Sequence, residues 1–325
     1  MRWKSASAKD EKLVAGQRVI TAGLAGMAGR LAVQPISVPK IYGEVGCVGG
    51  RTGAYQTVQF FKRWEGGLTP MAKRGAFIGI GRAFPHYAIM FTTYDRLAKQ
   101  WIPPVQSGQL IGPNQVTGAF ISGAVAGTLA TLVTHPLDMV KVRMIAQPLG
   151  PANHFYKDLS DACSEILSKE GLYRGIYRGL AVSLLGGATF AGTMFSMMYV
   201  VDNLPFRRRG VRVFYFDELV WTSAAVGTAV AVTHPIDVIR RKIMAQSKVL
   251  AKEGGVDVKF RHLPDLLLQM WRTHNRHYSF LSGLFPNLLK IVPQVVAFST
   301  VYTVTSSLLA WDATGSASFR PRQHS

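Results

Sequence analysis

The sequence is short of acid, of cysteine and of charge altogether. Of its 325 residues 17% are charged, against about a quarter in soluble domains. Together with 48% hydrophobic residues and a mean hydropathy of +0.15, that argues against an ordinary soluble chain. Asp and Glu number 18 against 37 Lys and Arg, so the formal charge is +19 and the isoelectric point about 10.2. Such an imbalance calls for an anionic partner: nucleic acid, anionic lipid or a charged small molecule. Two cysteines, Cys47 and Cys163, exclude a disulfide framework and a thiolate metal site of their own. No nucleophile–base–acid set and no metal-ligand cluster assembles, so the chain does not read as an enzyme and calls for no cofactor. Its start, MRWKSASAKDEKLVAG, lacks the apolar core of a secretory signal and the acid-free composition of a cleaved transit peptide. The expectation is that targeting information lies inside the chain.

What is present is a threefold repeat. Pro35, Pro136 and Pro235 stand 101 and 99 residues apart, each after an apolar stretch rich in small residues and each followed five residues on by a cation, Lys40, Lys141 or Arg240. A second half recurs from Gly75, Gly179 and Gly283. From each glycine a mostly apolar run reaches a tyrosine, Tyr94, Tyr199 or Tyr302, about 20 residues on, the length a helix needs to span ~30 Å of hydrocarbon. Six spans follow, in repeats over residues 14–100, 114–204 and 215–311. Polar, basic segments between paired spans read as loops with short amphipathic helices, such as Tyr156–Lys169. With the basic residues lying between apolar spans, lipid headgroups and a charged solute fit better than nucleic acid. Gly23, Gly26 and Gly29, and Gly123 and Gly127, line single helix faces and predict close helix packing. They are not a phosphate loop, because no strand precedes them.

A mid-membrane proline kinks its helix and frees a carbonyl. The charges directly after it, Asp138 with Lys141 and Asp237 with Arg240, are expensive at that depth unless paired and inward-facing. Three related helices around an axis supply such pairing in trans, acid of one to base of the next, and close a ring that acts as a gate.

The strings His135-Pro136-Leu137-Asp138-Met139-Val140-Lys141-Val142-Arg143 and His234-Pro235-Ile236-Asp237-Val238-Ile239-Arg240-Arg241-Lys242, with Glu170-Gly171 and Tyr177-Arg178-Gly179 downstream, resemble the signature of the mitochondrial carrier family. The resemblance covers residues 14–311. It implies an all-α membrane protein of six transmembrane helices in three two-helix repeats around a central cavity. It also implies a multi-pass monomer of the mitochondrial inner membrane, termini on the intermembrane-space side, working by alternating access. The family's cyclic pairing sets Asp138 against Arg240 and Asp237 against Lys40. Repeat one reads Pro35-Ile36-Ser37-Val38-Pro39-Lys40, so Lys141 faces Ser37 and two bridges are expected in place of three. On the opposite side the family's acid–base pattern is missing beyond Tyr94-Asp95, and closure there is expected to rest on packing of Tyr94, Tyr199 and Tyr302.

Twelve residues before each tyrosine lie Arg82, Gly187 and Lys290, at the depth where the family contacts its solute. Two cations and the bare wall of Gly187-Ala188 suit a molecule with phosphates at one end and a flat body at the other. The pattern is similar to the nucleotide and coenzyme A branch of the family. The competing reading for Arg82 and Lys290 is a structural ion pair or a snorkelling side chain. His86, one turn from Arg82, is either a solute contact or a hydrogen-bonded structural histidine, and His135 and His234 read as packing or capping residues. Strings such as Gly254–Val258 and Asn287–Pro293 are similar to those of a single family member. Basic loop residues such as Arg178 suit cardiolipin phosphates. The expected function is exchange of adenine-nucleotide or coenzyme A-like anions; the alternative is a carrier-shaped receptor or scaffold that has lost transport.

Overall fold

A computed structural model describes residues 8–45, 75–102, 112–147, 156, 158–203, 215–246, 260, 262–272 and 280–314. Cys47, Arg74, Gly254–Val258 and most of the loops at 49–73 and 251–277 lie outside the described residues. The helices are α1 (Ala8–Ala32), α2 (Gln34–Val45), α3 (Ala76–Trp101), α4 (Pro113–Ile145), α5 (Leu159–Glu170), α6 (Leu180–Asp202), α7 (Tyr215–Ala245), α8 (Leu263–Arg272), α9 (Leu284–Leu289) and α10 (Ile291–Thr314). Among the described residues there is no strand.

Four stretches are long and apolar enough to cross a membrane: Pro113–Ile145, Leu172–Asp202, Leu219–Ala245 and Leu284–Leu309. The α1/α2 pair makes a fifth, bent by 68° between Ala32 and Gln34. Repeat one breaks there, just before Pro35, whereas Pro136 and Pro235 sit inside the unbroken helices α4 and α7. The expected proline kinks are therefore unequal, with a break in repeat one alone. Helix α3 falls short of the apolarity of the others because Arg82, Pro85 and His86 lie in its middle. Its 26 residues still reach about 39 Å, and it packs between α1 and α4.

The spans close a ring: α1 on α3, α3 on α4, α4 on α6, α6 on α7, α7 on α10 and α10 back on α1. Burial is inverted relative to a soluble protein. Lys40 and Arg143 are 2% and 0% exposed while Leu31 and Phe77 are 62% and 87% exposed, the arrangement expected where lipid surrounds the ring and charge faces its axis. Gly75, Gly179 and Gly283 precede the even-numbered spans with φ of 60°, 76° and 79°. Each repeat turns into its second span through a left-handed residue that glycine adopts without penalty. The short helix α5 buries Ala162 and Ile166 against Ile78, Val140 and Ile176, with Cys163 packed alongside; burial pushes that thiol up, away from thiolate chemistry.

Small residues set the helix spacing. A Cβ on Gly123 would lie 2.7 Å from the Ala191 carbonyl, and one on Gly127 would collide with the Gly187 carbonyl. Around Gly16 there is nothing within reach. Gly127→Leu is therefore expected to force α4 and α6 apart, at about 1–3 kcal/mol or more, and to lower the thermal unfolding temperature in detergent. Gly16→Ala should leave that temperature unchanged or raise it.

Candidate functional site

The site begins with the charges that the ring turns inward. Residues from α1, α2, α3, α4, α7 and the α9–α10 junction line one cavity: Arg30, Ser37, Lys40, Ile41, Arg82, Asp138, Lys141, Val142, Arg240, Arg241 and Lys290. Seven of these are cations and one is a carboxylate. The cavity measures about 30 Å³, room for a water-sized molecule only.

Asp138 organises the cluster. Arg82 Nη1 stands 3.5 Å from its Oδ1, and Arg240 Nη1 3.7 Å from its Oδ2. The second contact is the interhelical pair that the cyclic scheme expects. The first was not legible, since Arg82 and Asp138 are 56 positions apart in the sequence. Arg82 Nε also donates to the Thr134 carbonyl at 3.4 Å. Thr134 Oγ1 donates to the Ala130 carbonyl and accepts from His86 Nδ1 at 3.1 Å, so His86 is held in one orientation with Nε2 left as an acceptor. Both readings of Arg82 meet here, because it sits in an ion pair and lines the cavity. His86 is hydrogen-bonded to the neighbouring helix and is not among the lining residues.

The pair between Asp237 and Lys40 is absent. Asp237 takes partners on its own helix, Arg240 at 3.0 Å and Arg241 at 3.8 Å, while Lys40 Nζ stands 3.5 Å from Glu44. Partners three or four residues away on one helix face are met without drawing two helices together, so the local pairs replace the interhelical one. Lys141 has no carboxylate within 4 Å among the described residues; it shares the cavity with Ser37 and packs its ammonium against Gly79 of α3.

Lys290 joins α9 to α10. Pro293 has no N–H to give the Leu289 carbonyl, the helix breaks at residue 290, and the side chain enters the cavity, 8% exposed. Gly187 sits in the α4–α6 seam, where the place of its Cβ is taken by Thr131 and Gly127. Neither it nor Ala188 is among the residues that line this cavity. Besides Ile41, Val142 and Arg241, the lining residue that the sequence reading missed is Arg30. Its signal was a lone arginine five residues before Pro35, inside a stretch of small and apolar residues.

Toward the chain termini the cavity is closed by aromatic rings from all three even-numbered spans. Tyr94 stacks on Phe195 at 3.7 Å, Phe91 meets Phe195 at 5.5 Å and Phe298 at 5.6 Å, and Phe298 stacks on Tyr302 at 6.0 Å. The joints are thus phenylalanines as much as Tyr94 and Tyr302. Asp95 does find a base, from an unexpected quarter: Arg18 of α1, at 3.0 Å. At the other end, Arg143 and Glu170 form a buried pair at 2.6 Å that ties the two halves of the repeat-two signature, and Arg178 donates to Gln246 Oε1 at 2.5 Å. His234 donates from Nε2 to the Ser282 carbonyl and accepts from Asn287, and His135 stacks on Tyr177.

A family model described as mitochondrial carrier protein matches residues 112–208 and 212–312. The chain is 30% identical over 285 residues to solute carrier family 25 member 43 of Danio rerio, covering 88% of this chain and 79% of that one. It is 28% identical to mitochondrial carrier protein CoAc1 of Arabidopsis thaliana, covering 92% and 90%. It is 26% identical to mitochondrial adenine nucleotide transporter ADNT1 of the same plant, covering 88% and 85%.

Because Asp138 serves two arginines, Asp138→Asn leaves Arg82 without its carboxylate and Arg240 with Asp237 alone, and is expected to cost roughly 3–5 kcal/mol. Arg82→Gln should cost less, since Arg240 remains. The double variant should be less destabilised than the sum of the singles by about 0.5–3 kcal/mol, measured by thermal unfolding in detergent.

Proposed function

The chain belongs to the mitochondrial carrier family, and from that premise we propose that it exchanges adenine-nucleotide or coenzyme A-like anions across the mitochondrial inner membrane by alternating access. The observation that carries this is the cavity, lined by seven cations and one carboxylate on the axis of the ring. Excess buried positive charge is costly, and a polyphosphate supplies what the protein withholds. In this reading Arg82 and Lys290, which line the cavity together with Arg30, take the phosphate oxygens. Arginine favours paired contacts, lysine a compact one.

At about 30 Å³ the cavity is closed to a nucleotide. Transport therefore requires the ring to part on one side at a time: at the aromatic rings of Phe91, Phe195 and Phe298, or at the charges of Asp138 and Arg240. A solute that pairs with Arg82 competes with Asp138 for it, which loosens the charged layer and couples binding to opening. In this reading both termini face the intermembrane space, the protein works as a monomer, and cardiolipin phosphates sit at the basic matrix-side turns near Arg178. The relatives named CoAc1 and adenine nucleotide transporter support the choice of solute class.

Liposomes loaded with ADP, ATP, coenzyme A or phosphate and holding the purified protein should take up labelled nucleotide or coenzyme A. Replacing Arg82 and Lys290 together by alanine removes two charge-assisted contacts and should slow uptake roughly a hundredfold or more. Uptake that survives the double change discards the site. A folded protein that moves none of these solutes leaves the scaffold reading in its place.

A further inference from the structure

Repeats two and three carry a carboxylate two residues after their proline, Asp138 and Asp237. Repeat one carries Ser37, whose hydroxyl donates to the Val33 carbonyl of its own helix at 2.9 Å. The helix is not without an acid, however. Glu44 lies seven residues beyond Ser37, two turns and about 10 Å along the axis. The matching positions, nine after the proline in each repeat, are Ile145 and Met244, both fully buried apolar side chains. An apolar side chain would fill such a place without charge, so a carboxylate there needs a reason.

Glu44 is fully buried, and its partners supply that reason. Oε2 accepts from the Arg241 guanidinium of α7, and Oε1 stands 3.5 Å from Lys40 Nζ. Lys40 is the repeat-one base that the ring would otherwise tie to Asp237. Arg241 adjoins Arg240 and also reaches Asp237 at 3.8 Å. The carboxylate thus joins the same network from below. Around it α2, α7 and the start of α9 converge: Ser282 Oγ donates to the Gly43 carbonyl at 3.0 Å, and a Cβ on Gly283 would lie 2.9 Å from Glu44 Cγ.

We propose that Glu44 is the repeat-one acid of the charged gate, relocated two turns along its helix, where it latches α2 to α7 through Arg241, the helix pair that the absent Asp237–Lys40 bridge would join. It is a positioning residue that does not line the solute cavity. Its contact must part when the ring opens at the charged end, so it sets how readily that end opens. This rests on the alternating-access reading above, and its test does not depend on knowing the solute.

The experiment uses the full chain in liposomes with Cys47 and Cys163 replaced by serine and a reporter introduced as Ile145→Cys, a buried position in the apolar cluster beside Glu44. Labelling by a membrane-impermeant maleimide reads opening of the charged end. Glu44→Gln should raise the labelling rate roughly five- to tenfold. Adding Ser37→Asp to Glu44→Gln should bring it back down, because an acid at 37 restores the missing ring charge beside Lys141 without touching Arg241. The exchange Glu44→Arg with Arg241→Glu should also restore protection. Unchanged labelling in Glu44→Gln, or a rise that neither second change reverses, would overturn the proposal and leave Glu44 a local packing residue. Absence of uptake in the unmodified protein would instead count against the transport reading alone.

Discussion

One carboxylate shared by two arginines holds the centre of this protein. Asp138 stands within 4 Å of Arg82 on one neighbouring span and Arg240 on another, so a single side chain fixes three helices at the same depth. In the hydrocarbon interior nothing outside the ring can solvate those charges. The inward direction of the basic residues follows from that constraint. A buried pair gives little net stability compared with an apolar contact, but leaving one partner alone is expensive. Such a network works as a latch because it tolerates rearrangement only when another anion takes over.

The two ends of the cavity close by different physics. At the charged end the partners are ions, and their exchange depends on what enters. At the other end Phe91, Phe195 and Phe298 meet as rings, and their contact depends on shape and burial with no ionic strength in it. An ion pair there, Arg18 with Asp95, ties α1 to α3 at the rim. A solute that carries charge at one end and a flat body at the other addresses both closures in turn.

The fold was legible because it is written three times. Prolines a hundred residues apart, glycines opening each second span and five of the six apolar runs survive translation into coordinates, down to the positive φ of Gly75, Gly179 and Gly283. Periodicity reports what a residue shares with its counterparts. It is silent on what only one repeat does. Arg30 and Glu44 have no basic or acidic counterpart in the other repeats, and the repeat-one helix breaks just before Pro35 where α4 and α7 run on. Pairing in space was equally hidden: Arg82 reaching Asp138, Arg18 reaching Asp95 and Asp237 turning to its own helix are choices among several nearby partners, which only the relative heights of the helices decide. Gly187 shows a second use of one position, since its lack of a side chain also makes room for Thr131 and Gly127 of a neighbouring helix.

The central claim is that buried cations left over from the protein's own pairing are completed by the phosphates of the solute. A structure in lipid with coenzyme A or ATP bound tests it most directly. The account predicts phosphate density within hydrogen-bonding distance of Arg82 and Lys290, with Arg82 drawn away from Asp138. Phosphates bound elsewhere on the chain, with Arg82 still held by Asp138, would contradict it.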